Sequence, residues 1–165
     1  MPYTMRHTIE TDVDKFWQLY FDTELNQALF GDLLNYSAYE VVEERIDDQG
    51  VVHRRVEYTP SLEVPAVARK LVGDGGYSEI GRYVPGVKYA AQWVPRRGAD
   101  KFTTRFELWA EPSGQKCCER VMVVENTVRV FGISSVIARL TEQSQRDVLG
   151  KVADFINGWI QERGL

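Results

Sequence analysis

Few side chains in this sequence are suited to chemistry, and they are scattered. The only histidines are His7 and His53. His7 shares parity with Tyr3, Met5 and Ile9 in an alternating run, so a strand there turns it inward. An acid–base role needs a partner within hydrogen-bond reach, and the neighbouring sequence supplies no obvious one. His53 sits beside Arg54 and Arg55 on a hairpin and reads as exposed. Glu79 alternates with Tyr77 and Tyr83, and Arg54 alternates with Val56 and Tyr58. A charge in mid-strand on an aromatic parity is costly alone and tolerable when paired. Glu79 and Arg54 thus read as an internal ion pair, as contacts for a ligand's polar group or, with the register shifted, as solvated residues. Acid–base chemistry would have to draw on His7, Arg54, Glu79 and the tyrosines, of which His7 and Glu79 are the weak catalytic candidates.

Other reactive arrangements are missing from the sequence. Ser134 and Ser135 stand at a helix entry, where capping explains them. Cys117 and Cys118 are adjacent, on opposite faces of a strand, so a mutual disulfide is strained and two free thiols in a reducing cytoplasm are expected. Without a CxxC or HExxH pattern, neither a metal site nor a cofactor is expected. The 165 residues carry 20 Lys+Arg and 24 Asp+Glu, a net charge of −4, which gives no basic face for nucleic acid. Hydrophobic residues make up 44%, too many for a disordered chain. No apolar run is long enough to span a bilayer, and the N-terminus lacks a signal-peptide core. The basic loop Arg96, Arg97 and Lys101 makes at most transient contact with an anionic membrane surface. Aromatics are plentiful, with 4 Trp, 8 Tyr and 7 Phe.

The elements that must position these residues follow from periodicity. Residues 3 to 10 alternate as a strand. Thr11 and Asp14 form an acidic capping box for a helix burying Val13, Phe16, Trp17 and Tyr20. A short second helix carries Leu25, Ala28, Leu29 and Leu33. Six strands follow: Ser37 to Asp47, Val51 to Thr59, Tyr77 to Val84, Val87 to Val94, Phe102 to Ala110, and Lys116 to Phe131. Asp48-Gln49-Gly50, Pro85-Gly86 and Pro112-Ser113-Gly114 read as the turns between neighbours. Between Thr59 and Tyr77, Pro60 and Pro65 bracket a mixed-polarity insertion, about residues 60–76, which reads as a lid hinged on Gly73, Gly75 and Gly76. From Ile133 an apolar stripe runs through Val136, Ile137, Leu140, Ser144, Val148, Val152, Phe155, Ile156 and Trp159. The expectation is one α+β domain over 1–165: a seven-stranded curved antiparallel sheet around a long C-terminal helix, with two short helices after the first strand.

This order resembles the helix-grip fold of the START-like and birch-pollen-allergen-like (SRPBCC) superfamily. More narrowly, several stretches resemble an uncharacterised bacterial family within it. They are Met5-Arg6-His7 before Phe16-Trp17, Pro60 and Pro65 with Lys70 and Gly73, Tyr77 with Glu79, and Val130-Phe131-Gly132 leading into a helix that ends with Phe155 and Trp159. The resemblance implies a cavity between sheet and helix that binds lipids, polyketides or other hydrophobic ligands, and in some members catalyses cyclisation.

The parity of the strands assigns the walls of such a cavity. Arg54 and Tyr58, Tyr77, Glu79 and Tyr83, Tyr89 and Trp93, and Phe106 and Leu108 face inward on successive strands. Met122 adds the last strand, and Val136 and Leu140 add the helix. The expected function is binding or carriage of a hydrophobic small molecule or lipid. A cyclase/aromatase-type enzyme and an interaction module with a filled core are the alternatives. Ligand identity and oligomeric state are not legible.

Overall fold

The computed structural model describes residues 1–61 and 73–165. The lid-like stretch Leu62 to Val72 lies outside the described residues. Strand β1 (Tyr3–Ile9) is followed by helices α1 (Val13–Tyr20) and α2 (Thr23–Ala28) and a π-helical turn at Leu29–Leu33. Six strands then run as β2 (Tyr36–Ile46), β3 (Val52–Pro60), β4 (Tyr77–Val84), β5 (Lys88–Pro95), β6 (Phe102–Pro112) and β7 (Cys118–Val128), and helix α3 (Ser134–Arg163) ends the fold. The seven strands form one antiparallel sheet in the order β1-β7-β6-β5-β4-β3-β2. This is the helix-grip arrangement, with the first strand closing beside the last.

Local chemistry explains the ends. The N-cap of α1 is Asp12, whose carboxylate accepts from the Lys15 backbone N–H at 2.8 Å. Thr11, expected in that role, is buried instead. An aspartate caps as well as a threonine, and its charge suits the helix N-terminus. Asp22 caps α2 in the same way through Leu25 N–H at 2.7 Å. Asp47 shapes the β2–β3 turn by accepting from the backbone of Gln49 and Val51, and it also meets His53 at 2.8 Å. His53 is therefore half-buried against a carboxylate rather than free in solvent.

The core joins the inner face of β1, β5, β6 and β7 to α1, α2 and the second half of α3. It includes Ile9, Phe16, Leu25, Tyr89, Leu108, Met122, Val124 and Ile156. The outer face is open to solvent on β4, where Ile80 is 54% exposed. The two halves of α3 differ sharply. Val152 and Ile156 are 8% and 4% exposed, whereas Val136 and Leu140 are 46% and 57% exposed. Thus the apolar stripe is continuous in sequence but buried only where the helix meets β1 and β7.

Candidate functional site

A cavity of about 400 Å³ lies between the inner sheet face and α3. Its strand walls carry Arg54, Tyr58, Tyr77, Glu79, Trp93, Phe106 and Met122, and α3 contributes Val148, Val152 and Ile156. Seven of the residues expected to face a ligand are thereby brought together. The other five are not. Tyr89 and Leu108 are completely buried in the core beneath α1, which packs on β6. Tyr83 lines a separate outer groove, its ring against Trp17 and Phe21. Val136 and Leu140 lie on the exposed first half of α3, away from the cavity wall. Parity names the face of an element but not the position along it where the cavity begins.

Glu79 is the focus of the cavity. It stands opposite Trp93 in the β4–β5 register, and the Trp93 indole Nε1–H donates to Glu79 Oε2 at 2.7 Å. The Tyr89 hydroxyl donates to Oε1 at 2.5 Å, and the Tyr58 hydroxyl lies 3.5 Å from Oε2. Burial raises the Glu79 carboxyl above the usual carboxylate range, while these donors and Arg54 pull it back. Tyr89 starts four register pairs away, opposite Tyr83, so its ring must cross the position held by Gly81. A Cβ on Gly81 would stand 1.9 Å from the Tyr89 hydroxyl oxygen.

Arg54 is buried too, yet it forms no ion pair with Glu79 among the described residues. It lies diagonally across the β3–β4 register, opposite Gly81. Its guanidinium donates to the Tyr39 hydroxyl at 3.3 Å, packs 5.1 Å from the Phe21 ring centre, and sits 3.7 Å from the half-exposed Glu44. Its Nε–H has no hydrogen-bond partner among the described residues. Arg54 and Tyr39 border both the cavity and the outer groove, so they form the partition between them.

Aromatic rings line the wall around Glu79. Tyr58 and Tyr77 stack at 4.8 Å, Tyr77 stands 6.0 Å from Trp93, and Trp93 is 4.7 Å from Phe106. Several wall residues escaped the sequence reading: Tyr20, Leu29, Phe30, Tyr36 and Tyr39 all reach the cavity from the segment between β1 and β3. For Phe30, Tyr36 and Tyr39 the signal was the density of aromatics, which carries no clean period, whereas Tyr20 and Leu29 stood only as apolar helix positions. A polar group at another part of the wall was missed as well. Thr104 donates to Asn126 at 2.6 Å, Asn126 donates to Gln145 at 2.8 Å, and the Tyr3 hydroxyl also meets Gln145. Residues on four different elements leave no local pattern.

His7 lies outside the cavity. Its Nδ1 is 3.0 Å from the guanidinium of Arg120, its register partner on β7. Burial and that cation push the His7 imidazole down to about 4. Arg120 also donates to the Leu149 carbonyl at 2.8 Å. This is a partly buried structural contact between β1, β7 and α3, remote from Glu79 in the fold. Cys117 and Cys118 are both free, and burial pushes the Cys118 thiol up to about 11.

A family model described as a protein of unknown function (DUF2505) matches residues 4–160. The chain belongs to the DUF2505 family. Comparison with curated protein sequences gives no match. Among solved structures, this DUF2505 chain is similar to the Zhui aromatase/cyclase from Streptomyces sp. R1128, with 12% identity, a TM-score of 0.67, and 100% and 96% of the two chains covered. It is also similar to norcoclaurine synthase from Thalictrum flavum, with 19% identity, a TM-score of 0.64, and coverage of 98% and 88%. A START superfamily protein from Mycobacterium smegmatis matches at 11% identity and a TM-score of 0.60, with coverage of 98% and 97%. These likenesses establish the START/SRPBCC-like fold of this DUF2505 protein. No helix among its described residues is long and apolar enough to cross a membrane.

Proposed function

We propose that this protein binds, and by extension carries, a hydrophobic small molecule or lipid in the cavity between sheet and α3. One observation carries the reading: the wall is dominated by aromatic and aliphatic side chains and interrupted by only a few placed polar groups. A cavity of about 400 Å³ falls within the range of small-molecule sites. A filled core would be expected of a pure interaction module, and the cavity counts against that alternative. The free cysteines support a reducing, cytoplasmic setting. We extend the reading to one folding unit across 1–165.

Acid–base catalysis on the same hydrophobic class is the second reading, favoured by the position of Glu79. Its carboxyl lies on the cavity wall, shifted upward by burial and joined to the Tyr89 hydroxyl. The solved relatives include one titled an aromatase/cyclase and one titled a synthase.

Native mass spectrometry of freshly expressed protein tests the first reading. A co-purified apolar ligand, released on denaturation, is the expected result. A clean unliganded mass together with no thermal shift across a panel of lipids and aromatic amphiphiles overturns it. The second reading requires substrate turnover that Glu79→Gln abolishes while ligand binding survives.

A further inference from the structure

Within the cavity, one polar group that faces the ligand space has no counter-ion in contact among the described residues, and it is a carboxylate, that of Glu79. Glu79 is held by three neutral donors, Tyr58, Tyr89 and Trp93. A carboxylate has about four acceptor sites, and one of its three bonds is long at 3.5 Å, so acceptor capacity is left over. Arg54, the cation among the described residues of the same wall, is engaged toward Tyr39, Glu44 and the Phe21 ring rather than with Glu79. Around Glu79 the rings of Tyr58, Tyr77, Trp93 and Phe106 succeed one another at 4.7–6.0 Å. Aromatic faces attract cations, most strongly where water is displaced. A carboxylate set among such faces is suited to an ammonium group attached to an apolar body.

We infer that the ligand of this cavity is an organic amine: a hydrophobic molecule whose ammonium group sits against Glu79 among the rings of Tyr58, Tyr77 and Trp93. The inference rests on the cavity-binding reading above and names the class of molecule that would occupy it. The protonated amine supplies a countercharge that no described residue in contact with the buried carboxylate provides, and N–H donors for its unused acceptor sites. An acid of the same shape meets the opposite situation at this point of the wall, because its carboxylate would face Glu79, and Arg54, the cation among the described wall residues, is directed toward Tyr39 and Glu44. The direction of selectivity therefore follows from the wall, whatever the identity of the apolar body.

Three probes sharing one skeleton separate the two readings: phenylbutylamine, phenylbutanol and phenylbutyrate, titrated at neutral pH by calorimetry and by quenching of Trp fluorescence. The alcohol reports on the cavity alone. The amine is expected to bind about tenfold or more tightly than the acid, a difference of at least about 1.4 kcal/mol, with the alcohol between them. In Glu79→Gln the amine advantage should fall to near parity while alcohol binding persists. Tyr77→Leu, which keeps the carboxylate but removes a ring, should reduce the amine affinity several-fold and change that of the acid little. Equal or tighter binding of phenylbutyrate by the native protein overturns the inference and hands the polar-group role to Arg54. An amine preference that survives Glu79→Gln overturns it too. Should either variant fail to fold, the amine-to-acid ratio of the native protein decides alone. If none of the three binds, the cavity-binding reading falls and takes this inference with it.

Discussion

Tyr89 reaches Glu79 only because residue 81 has no side chain. The ring lies over Gly81, and any Cβ there would collide with the hydroxyl oxygen at 1.9 Å. Gly81→Ala should therefore push the Tyr89 ring out of place, break the 2.5 Å bond to Glu79 and cost about 1–3 kcal/mol of stability, the usual range for overpacking. Urea denaturation measures the loss, and an unchanged midpoint would mean that the ring relaxes freely. Two titratable groups, the buried Glu79 and the partly buried His7, then act on stability in opposite senses. Glu79 is raised by burial, so the folded chain holds its proton more tightly than the unfolded chain. Its contribution is full below the unfolded carboxylate range and is lost as pH rises through its folded value. His7 is lowered to about 4 from 6.5, so its contribution is present above the unfolded value and is lost as pH falls through the window between the two. Relative to the native protein, Glu79→Gln should therefore gain stability as pH rises from mildly acidic to mildly alkaline. His7→Gln should lose less than the native protein between about pH 6.5 and 4. Denaturation midpoints across that range test both slopes. A native-to-variant difference independent of pH at either site refutes the assignment there.

At the scale of elements, α3 is two helices in one. Its 30 residues extend about 45 Å, longer than the part of the sheet that grips it. Beyond Val148 the stripe is buried through Val152, Ile156 and Ile160. Before it, Leu140 and Val136 stand half open, and only intermittent residues such as Thr141, Ser144 and Gln145 reach the cavity. The difference is measurable. Ile156→Ala should cost about 2–5 kcal/mol, as for other truncations in a packed core. Leu140→Gln should stay within about 0.5 kcal/mol, as for other surface positions. Comparable losses at the two sites would mean that the first half of α3 is covered as tightly as the second. The edge strand β2 adds a second irregularity, with register shifts between Tyr36 and Ala38 and between Val41 and Glu43. These shifts flank Tyr39, which helps Arg54 separate the cavity from the outer groove.

For the whole molecule, the cavity is a choice between stability and binding. Empty apolar space forfeits packing contacts, so a side chain that fills it should add stability and exclude the ligand. Val148 is half-buried on α3 and lines the cavity opposite the sheet. Val148→Trp should leave the melting temperature unchanged or raised while abolishing binding of phenylbutanol. A variant that binds the alcohol as well as the native protein does would place the binding space elsewhere. A lowered melting temperature would show that the space is too small for the added ring. Ligand binding to the native fold should raise the melting temperature with concentration, by mass action.

Much of the architecture was legible because it rests on local periods. Alternation along the strands, turn residues between them and the stripe of α3 were sufficient for the number of strands, their antiparallel pairing and the closing helix. The inward direction of Arg54, Tyr58, Tyr77, Glu79, Trp93, Phe106 and Met122 followed from the same parity. Other decisions belonged to tertiary structure alone. Whether Glu79 pairs with Arg54 depended on the diagonal offset across β3 and β4, and a short sequence does not encode an offset between strands joined by a long insertion. Tyr83, Tyr89, Leu108, Val136 and Leu140 carry the right residue types, but where the cavity ends is set by α1 crossing β6 and by the length of α3 beyond the sheet. Sequence by itself determined which side of each element is apolar, because side-chain direction repeats with a fixed local period. Only the folded chain decided which stretch of that apolar side is core, which is cavity and which is surface, because those fates depend on what another element brings against it.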